Sequence, residues 1–386
     1  MNKINKDWKE VKLGDIVDIT MGQSPKSEFY NKRNEGMPFL QGSATFGFMH
    51  PYFETYSSDI KKIAINGSVL MSVRAPVGDL NIANADVCIG RGLCSINGKS
   101  NIINRYIFYL LSYYKPKLLN MQKGTTFGAI TKDDILNFKV LIAEDIEEQK
   151  RIASTLSKID AYLENTIKLI EEKERFKRGI AKKLLTCKEG ENIPEARFKG
   201  FEDEWETKTL NSISNIKKGE QKNKLDLIAD GKYPVLNGGM NFSGYCNSYN
   251  REANTITISE GGNAGYVNFI KENFWSSGHC YTLHDLKIDK YFLYQCLKNS
   301  EKRLMKLQLG TALKNIRQSE IVEFELNIPK SIKEQEKIGG YLSLLDAEID
   351  NLKKQKELIK EMKKGAMQKL LPGEVRLSKN AFNENI

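Results

Sequence analysis

The stretch EQKRI at residues 148–152 recurs as EQEKI at residues 334–338, an offset of 186 residues. Each copy opens a long segment with apolar residues at helical spacing, and each segment ends in Lys-Leu-Leu, at 183–185 and 369–371. Such spacing predicts a long amphipathic helix in each half of the chain. The duplication predicts an internal repeat with pseudo-twofold symmetry, which suits a ligand with two similar halves.

The repeat extends into the segment before each helix, which we call a head. Trp8 and Gly22 recur as Trp205 and Gly219, 197 residues later. The offset drifts along the heads, and the residues between the anchors differ. Shared anchor residues with different residues between them predict one fold that carries two specificities.

Each head carries both strand and helix signals. Residues 11–20, 68–73 and 254–259 are apolar or alternate, as strands do, and 104–121 and 289–307 have apolar residues at helical spacing. The sequence therefore predicts an α+β fold of two similar heads joined by two long helices. The predicted segments are a first head at 1–144, a first long helix and linker at 145–190, a second head at 191–330, a second long helix at 331–373 and a C-terminal tail at 374–386.

The apolar seams of the two helices have a near-heptad rhythm, which favours an antiparallel coiled coil between them. The alternative is that each helix packs on its own head. Each helix should run about 38 residues, hence about 57 Å. The predicted seam consists of Ile152, Leu156, Ile159, Leu163 and Ile170 in the first helix and Ile338, Leu342, Leu345, Ile349 and Leu352 in the second.

Both helices begin with the spacing of a capping box, in which a side chain before the helix and a glutamate three residues later satisfy free backbone N–H groups. The pairs are Asp145 with Glu148 and Ser331 with Glu334.

Composition narrows the function classes. The net charge is +10 and the pI about 9.0, which fits a surface for polyanions, although a solvated basic surface is the alternative. Six cysteines without a C-x-x-C pair and three histidines predict neither a zinc site nor a disulfide framework. The N-terminus lacks the apolar region of an export signal, and no run of 18 apolar residues appears, so a cytoplasmic protein without a membrane span is expected.

No catalytic motif emerges. Residues 98–100, Gly-Lys-Ser, resemble the end of a phosphate-binding loop, but Leu93 stands where its first glycine should be. His279 beside Cys280 could form a nucleophile pair, yet neighbours in a strand point to opposite faces, so a buried structural cysteine is favoured. The chain is predicted not to be an enzyme.

Three further motifs carry a family resemblance. Each head opens with Trp-x4-Leu-x2-Ile, and the pattern L-x2-G-T-x4-I ends at Ile316, with a close variant ending at Ile130. The stretch RFKGF at 197–201, just before Trp205, opens the second head. With the duplicated helices, these features resemble the specificity subunit of type I restriction–modification systems, over essentially the whole chain.

The resemblance implies a non-catalytic subunit that recognises a bipartite, asymmetric site in double-stranded DNA. Each head would be a target recognition domain for one half of the site, and the helices would set the spacing. The helices would also dock two modification subunits, which bind S-adenosylmethionine and methylate adenine. A restriction subunit that uses ATP and Mg²⁺ would be a further partner. No cofactor or metal is expected on this chain.

Candidate DNA-contacting residues are the basic and amide or hydroxyl side chains of the head loops, because such groups bind phosphates and base edges. Those predicted are Gln23, Ser24, Lys26, Gln41, Arg74, Lys123, Thr125 and Thr126 in the first head and Lys218, Gln221, Lys222, Asn237, Thr311, Lys314 and Arg317 in the second. Exposed polar side chains without a role are the alternative. Tyr106, Tyr109, Tyr291 and Tyr294 lie on predicted helices and are expected in the core rather than against bases.

Two other functions remain open at this level. One is a two-headed coiled-coil scaffold that binds proteins rather than DNA. The other is an enzyme with an unfamiliar motif. A salt-dependent affinity for duplex DNA would distinguish the DNA-binding function from the scaffold.

Overall fold

The computed structural model describes residues 7–120, 128–310 and 314–377. The chain forms two compact units, the first from 1–168 and 354–386 and the second from 169–353. Each unit therefore combines one head with a portion of each long helix.

The first unit alternates short strands with few helices before the first long helix. Its strands are β1 (Trp8–Lys12), β2 (Val17–Met21), β3 (Tyr30–Asn31), β4 (Met37–Leu40), β5 (Tyr56–Ser57), β6 (Ile63–Ala64), β7 (Val69–Ser72), β8 (Leu80–Ile82), β9 (Val87–Ile89), β10 (Leu93–Gly98) and β11 (Lys139–Ala143). Its helices are α1 (Leu13–Ile16), α2 (Asn104–Asn120), α3 (Lys132–Leu136) and the start of α4 (Ile146–Leu185).

Strand β10 lies inside the main sheet of this head, which has the order β2-β10-β7-β8 with antiparallel neighbours. Strand β1 pairs with β11 just before α4, and a further sheet has the order β3-β5-β4-β9-β6. Helix α2 covers the main sheet, and its Tyr106, Tyr109 and Leu110 are fully buried in one cluster with Met71 and Ile96. These apolar side chains form the core of the first head.

The predicted strand at 11–20 is wrong in its middle, where Leu13–Ile16 form a helical turn. The Asp15 carboxylate accepts a hydrogen bond from the Lys12 N–H (3.2 Å), which caps the turn. Leu13 and Ile16 are both buried because residues three apart share one face of a helix. An apolar pair at this spacing is therefore compatible with a single helical turn between two strands.

The second unit repeats this arrangement. Its strands are β12 (Glu206–Thr209), β13 (Asn215–Lys218), β14 (Tyr233–Leu236), β15 (Gly244–Cys246), β16 (Thr255–Ser259), β17 (Val267–Ile270), β18 (Trp275–Ser276), β19 (Cys280–His284) and β20 (Glu325–Ile328). Its helices are α5 (Leu210–Ile213), α6 (Lys290–Asn299), α7 (Glu301–Met305), α8 (Gln318–Val322) and the start of α9 (Ile332–Leu370).

The two heads share their sheet topology. The order β13-β19-β16-β17 matches that of the first main sheet, and β12 pairs with β20 as β1 pairs with β11. A smaller sheet has the order β15-β14-β18, with β14 and β18 parallel. The α+β repeat predicted from the sequence is therefore confirmed.

Two local predictions in this unit need correction. The predicted helix 289–307 breaks at Ser300 into α6 and α7, because the Glu301 carboxylate accepts the Val267 N–H (2.9 Å) and holds the chain against β17. Tyr291 is 41% exposed rather than in the core, and its ring lies beside Phe269 at the surface.

The predicted capping boxes are also wrong. The Glu334 carboxylate is 1% exposed and accepts hydrogen bonds from the Arg197 guanidinium (2.7 and 2.8 Å) and from Trp205 Nε1 (3.3 Å). Glu148 is equally buried and pairs with Arg151 (2.6 Å). Both glutamates turn to these ion pairs and do not cap their own helices, although Asp145 does accept the Glu147 N–H (3.0 Å).

The glutamines of the repeated motif tie each long helix to its head. Gln149 Nε2 donates to the Ala143 carbonyl (2.9 Å), and its Oε1 accepts the Ile103 N–H (3.3 Å). In the second unit, Gln335 Nε2 donates to the Pro329 carbonyl (2.8 Å), and its Oε1 accepts the Asp289 N–H (2.9 Å). Each glutamine thus joins the end of a strand to the start of the main head helix.

An aspartate repeats in the same way. In the first unit, Asp160 of α4 accepts Tyr109 O–H (2.8 Å) and pairs with Lys363 of α9 (2.6 Å). In the second unit, Asp346 of α9 accepts Gln295 Nε2 (2.7 Å) and pairs with Lys177 of α4 (2.5 Å). Asp160 and Asp346 are 186 residues apart, and so are Lys177 and Lys363, so the internal repeat includes these ion pairs.

The seam residues confirm that the two long helices pair with each other. They also show that the alternative holds in part, because each helix packs on its own head as well. Ile152 and Leu156 are buried in the core of the first head, as Ile338 and Leu342 are in the second. Further along, Leu163, Ile170 and Ile349 are buried, and Ile159, Leu345 and Leu352 are partly buried. In the second unit, Lys173 pairs with Glu348 and Glu174 with Lys353, which together with Lys177–Asp346 show the helices to be antiparallel. Each helix packs on its own head at its start and against the other helix beyond.

No helix among the described residues is long and apolar enough to cross a membrane.

Candidate nucleic-acid interface

In the first head, three predicted residues meet where β2 and β4 end. The Gln23 N–H donates to the Ile89 carbonyl (2.9 Å), which fixes the loop after β2 beside β9. Ser24 Oγ donates to Gln41 Oε1 (3.0 Å) and accepts the Arg91 N–H (3.1 Å). The Gln41 carboxamide is therefore held by its oxygen, which leaves its NH₂ group as the donor that it can offer to a ligand.

The backbone at this junction is closely packed. A Cβ added to Gly22 would lie 2.2 Å from the Gly90 carbonyl oxygen, and one added to Gly92 would lie 2.6 Å from the Gln41 carbonyl oxygen. Both distances are far below van der Waals contact, so glycine is required at both positions. We call these glycines and their counterparts in the second head the glycine frame.

In the second head, Gln221, Lys222 and Asn237 line one cavity of ≈ 370 Å³ together with Ser243 and Ser277. The glycine frame recurs here at Gly219, where a Cβ would lie 2.2 Å from the Ser277 carbonyl oxygen, whereas at Gly278, the counterpart of Gly92, a Cβ would lie 2.9 Å from Gln221 Oε1 of a side chain. Gln221 corresponds to Ser24 and Asn237 to Gln41. The two heads thus place different polar side chains at equivalent points.

Lys222 is positioned by an aromatic ring. Its Nζ lies 3.4 Å from the centroid of the Trp275 ring, and the Trp275 Nε1–H donates to the Glu220 carbonyl (2.9 Å). A cation over an indole face is an attractive arrangement. The Lys222 ammonium is thereby held at the cavity, where it can meet an anionic group.

Lys218 has a partner within the head. Its Nζ lies 2.6 Å from Glu260 Oε1, and Tyr281 O–H donates to the same carboxylate oxygen (2.9 Å). Burial and the neighbouring Glu260 raise the pKa of Tyr281, so this phenol remains a donor. The charge of Lys218 is compensated in the free protein, and its contact with DNA stays a prediction.

The remaining predicted residues are distributed around these junctions. Lys26 is exposed beside Glu28, and Arg74 is exposed in the loop after β7. Lys314 and Arg317 are exposed on either side of the buried Ile316. Lys123, Thr125, Thr126 and Thr311 lie outside the described residues.

Sequence reasoning missed several residues of these sites. Arg91 and Ser277 lie in the short loops before β10 and β19, and Asn315 Oδ1 would lie 2.5 Å from a Cβ on Gly261. The signal for Arg91 was its position between Gly90 and Gly92, because paired glycines between strands mark a close approach of backbone.

No group of three or more histidine, cysteine, aspartate or glutamate side chains that could hold a metal ion occurs in the described part of the chain. Cys280 is fully buried, and burial raises the pKa of its thiol to about 11. The neutral thiol is a poor nucleophile. This supports a structural role for Cys280, as the sequence predicted.

Comparison with known proteins places these heads in a family. The family model of the type I restriction modification DNA specificity domain matches residues 5–172 and again residues 202–361. A protein of Methanocaldococcus jannaschii, provisionally named the MjaX type I restriction enzyme specificity subunit, is 44% identical over 191 residues, which are 49% of this chain and 45% of that protein. The chain spans less than half the length of the first curated relatives it matches.

Two comparisons cover nearly the whole chain. The type I restriction enzyme MjaVIII specificity subunit of the same organism is 24% identical, over 98% of this chain and 96% of its own length. The crystal structure of the S subunit of a type I restriction–modification system from M. genitalium has a TM-score of 0.72 at 20% identity, covering 96% of this chain and 97% of that one, which shows a shared fold.

Because one family model matches both halves of the chain, and because the fold is shared over nearly its full length, this protein belongs to the type I restriction–modification DNA specificity family, whose members named here are specificity subunits.

Proposed function

We propose that this chain is the DNA-binding subunit of a type I restriction–modification complex and recognises a bipartite, asymmetric site in double-stranded DNA, one half with each head. The observation that carries the proposal is the pair of equivalent junctions. Ser24 and Gln41 in the first head are replaced by Gln221 and Asn237 on the same backbone frame in the second. Amide and hydroxyl groups read base edges in the major groove, so different groups at equivalent points favour different half-sites.

Affinity for DNA would come mainly from phosphate contacts. The net charge of +10 supports this, because lysine and arginine release counterions from DNA when they neutralise phosphates. Lys222, Lys314 and Arg317 are the basic side chains of the second head best placed for it. Base contacts by the loops would add specificity.

The long helices would dock two modification subunits, which carry S-adenosylmethionine and methylate adenine. A restriction subunit with ATP and Mg²⁺ would join the same assembly, and the complex would act in the cytoplasm, where the DNA is. Exposed apolar side chains on both helices support a docking role: Tyr162 and Leu358 in the first unit are 54% and 70% exposed, and Phe176 and Leu344 in the second are 53% and 71% exposed. Large apolar side chains in contact with water suit a surface that a partner covers.

The experiment is to purify the chain alone and together with a modification subunit, and to measure methyl transfer and DNA binding. We expect no methylation by the chain alone, sequence-specific methylation by the complex, and a DNA affinity that falls steeply with salt. Robust methyl transfer by the chain free of partners would contradict the proposal. A DNA affinity that is absent at low salt would favour the protein-binding scaffold instead.

A further inference from the structure

Asn237, at the end of a buried strand, carries a buried polar atom without a hydrogen-bond partner among the described residues. It follows directly on β14 and lines the cavity with Gln221 and Lys222. Its Oδ1 is shielded from water and accepts no hydrogen bond from the described residues. A shielded polar atom without a partner is costly, so its presence in a folded protein requires an explanation.

The equivalent residue of the first head does not share this state. Gln41 Oε1 accepts a hydrogen bond from the Ser24 hydroxyl (3.0 Å). The counterpart of Ser24 is Gln221, whose Nε2 is directed to the Lys222 carbonyl (3.4 Å) instead. The second head therefore lacks the internal donor that the first head supplies at this point.

The surroundings of Asn237 suit an anionic ligand such as a nucleic acid. Lys222 and Lys224 line the cavity without an acidic residue among its lining groups, and the Trp275 ring lies beneath the Lys222 ammonium. A cavity of ≈ 370 Å³ is large enough for the edge of a base together with water. The missing donor can thus come from a nucleic acid that approaches this edge of the head, once the Asn237 side chain turns its shielded oxygen towards the cavity.

We propose that Asn237 reads an adenine in the half-site bound by the second head; this inference rests on the proposed function. In the major groove adenine offers the N6 amino group as donor and N7 as acceptor, and a carboxamide turned about its last side-chain torsion matches both. Cytosine offers a donor alone, and guanine and thymine present acceptors to this position. The unpaired oxygen selects for the amino group, and the NH₂ group selects for N7.

The test uses the full chain in complex with its modification subunits and a DNA library with every position of the second half-site randomised. The base preference at each position is measured by sequencing the methylated molecules. Wild type should prefer adenine at one position of this half-site besides the adenine that is methylated. In Asn237→Leu, which keeps the approximate size without polar atoms, the preference there should fall by about 10-fold or more, with the other positions unchanged.

Asn237→Asp makes the opposite change, because a carboxylate accepts from cytosine N4 and cannot donate to N7. The preferred base at that position should shift from adenine to cytosine. Asn241→Asp, an exposed substitution four residues along the same loop, is the matched control and should leave every preference as in wild type. Gln41→Leu should alter the first half-site alone.

The outcomes separate this inference from the proposed function. If the complex methylates specific sites but both Asn237 variants retain the wild-type preferences, the inference is overturned and the proposed function stands. If wild type shows no sequence preference at all, the proposed function fails first. If Asn237→Leu lowers the thermal unfolding midpoint below the assay temperature, Asn237→Asp and Asn237→Ser decide, and unchanged adenine preference in both overturns the inference.

Discussion

Replacing Gln335 with alanine should lower the free energy of unfolding of the second unit by about 2–4 kcal/mol, since two backbone groups lose their partners and each buried unpaired group costs roughly 1–3 kcal/mol. Gln335 is 2% exposed. Its carboxamide is bonded to the Pro329 carbonyl (2.8 Å) and to the Asp289 N–H (2.9 Å). Water that enters the space left by the side chain would recover part of the loss, which sets the expectation below the simple sum.

Urea unfolding followed by tryptophan fluorescence measures this change. The chain has three tryptophans, so a Trp8→Phe background leaves Trp205 and Trp275, both in the second unit, as the reporters. Glu336→Ala, an exposed substitution next to Gln335 on the same helix and in the same unit, is the matched control and should change stability by less than about 0.5 kcal/mol. A loss below about 1 kcal/mol for Gln335→Ala would refute the reasoning, because the two hydrogen bonds would then be replaced without cost.

Three other predictions concern the repeat and the cysteines. Inserting one heptad after Leu163 and one after Ile349 adds roughly 10 Å to each helix and keeps the seam in phase. Methylation mapping should then show a spacer between the half-sites that is longer by about 1–2 base pairs, given a rise near 3.4 Å per pair. An unchanged spacer with full activity would show that the helices do not set this distance. Exchanging residues 1–143 for the corresponding head of a relative should change one half-site, and a change in both would show that the heads do not act independently. Burial raises the pKa of Cys280 to about 11, so its reactive thiolate forms only as the pH rises towards that value. At pH 8 iodoacetamide should therefore modify the half-buried Cys187 before Cys280. Equal labelling of the two thiols, measured by mass spectrometry, would contradict the burial of Cys280.

The repeat and the long helices were predictable because their signals are local and duplicated. Apolar residues at helical spacing determine which side of a helix is buried, and that holds for Ile152 and Ile338. The capping boxes failed because the partner of Glu334 is Arg197, 137 residues away. A spacing rule within one helix contains no information about a guanidinium from another segment.

The candidate DNA-contacting site was predictable to a similar extent. Gln221, Lys222 and Asn237 could be selected as polar residues in turns beside the repeated anchors, and the structure brings them to one cavity. Their partners come from loops far along the chain, so Ser277 was missed. Lys218 and Glu260 are 42 residues apart in the sequence, so their ion pair could not be predicted from a local pattern either.

The glycine frame has a consequence for how such a protein acquires a new target. At Gly22 and Gly219 an added methyl group would collide with backbone at 2.2 Å, so these positions are closed to substitution. Positions 24 and 41, with their counterparts 221 and 237, lie beside the frame yet already differ between the heads. Mutational tolerance is thus divided between neighbouring positions, and a library that varies only those four sites would explore new DNA sequences without risking the fold that presents them.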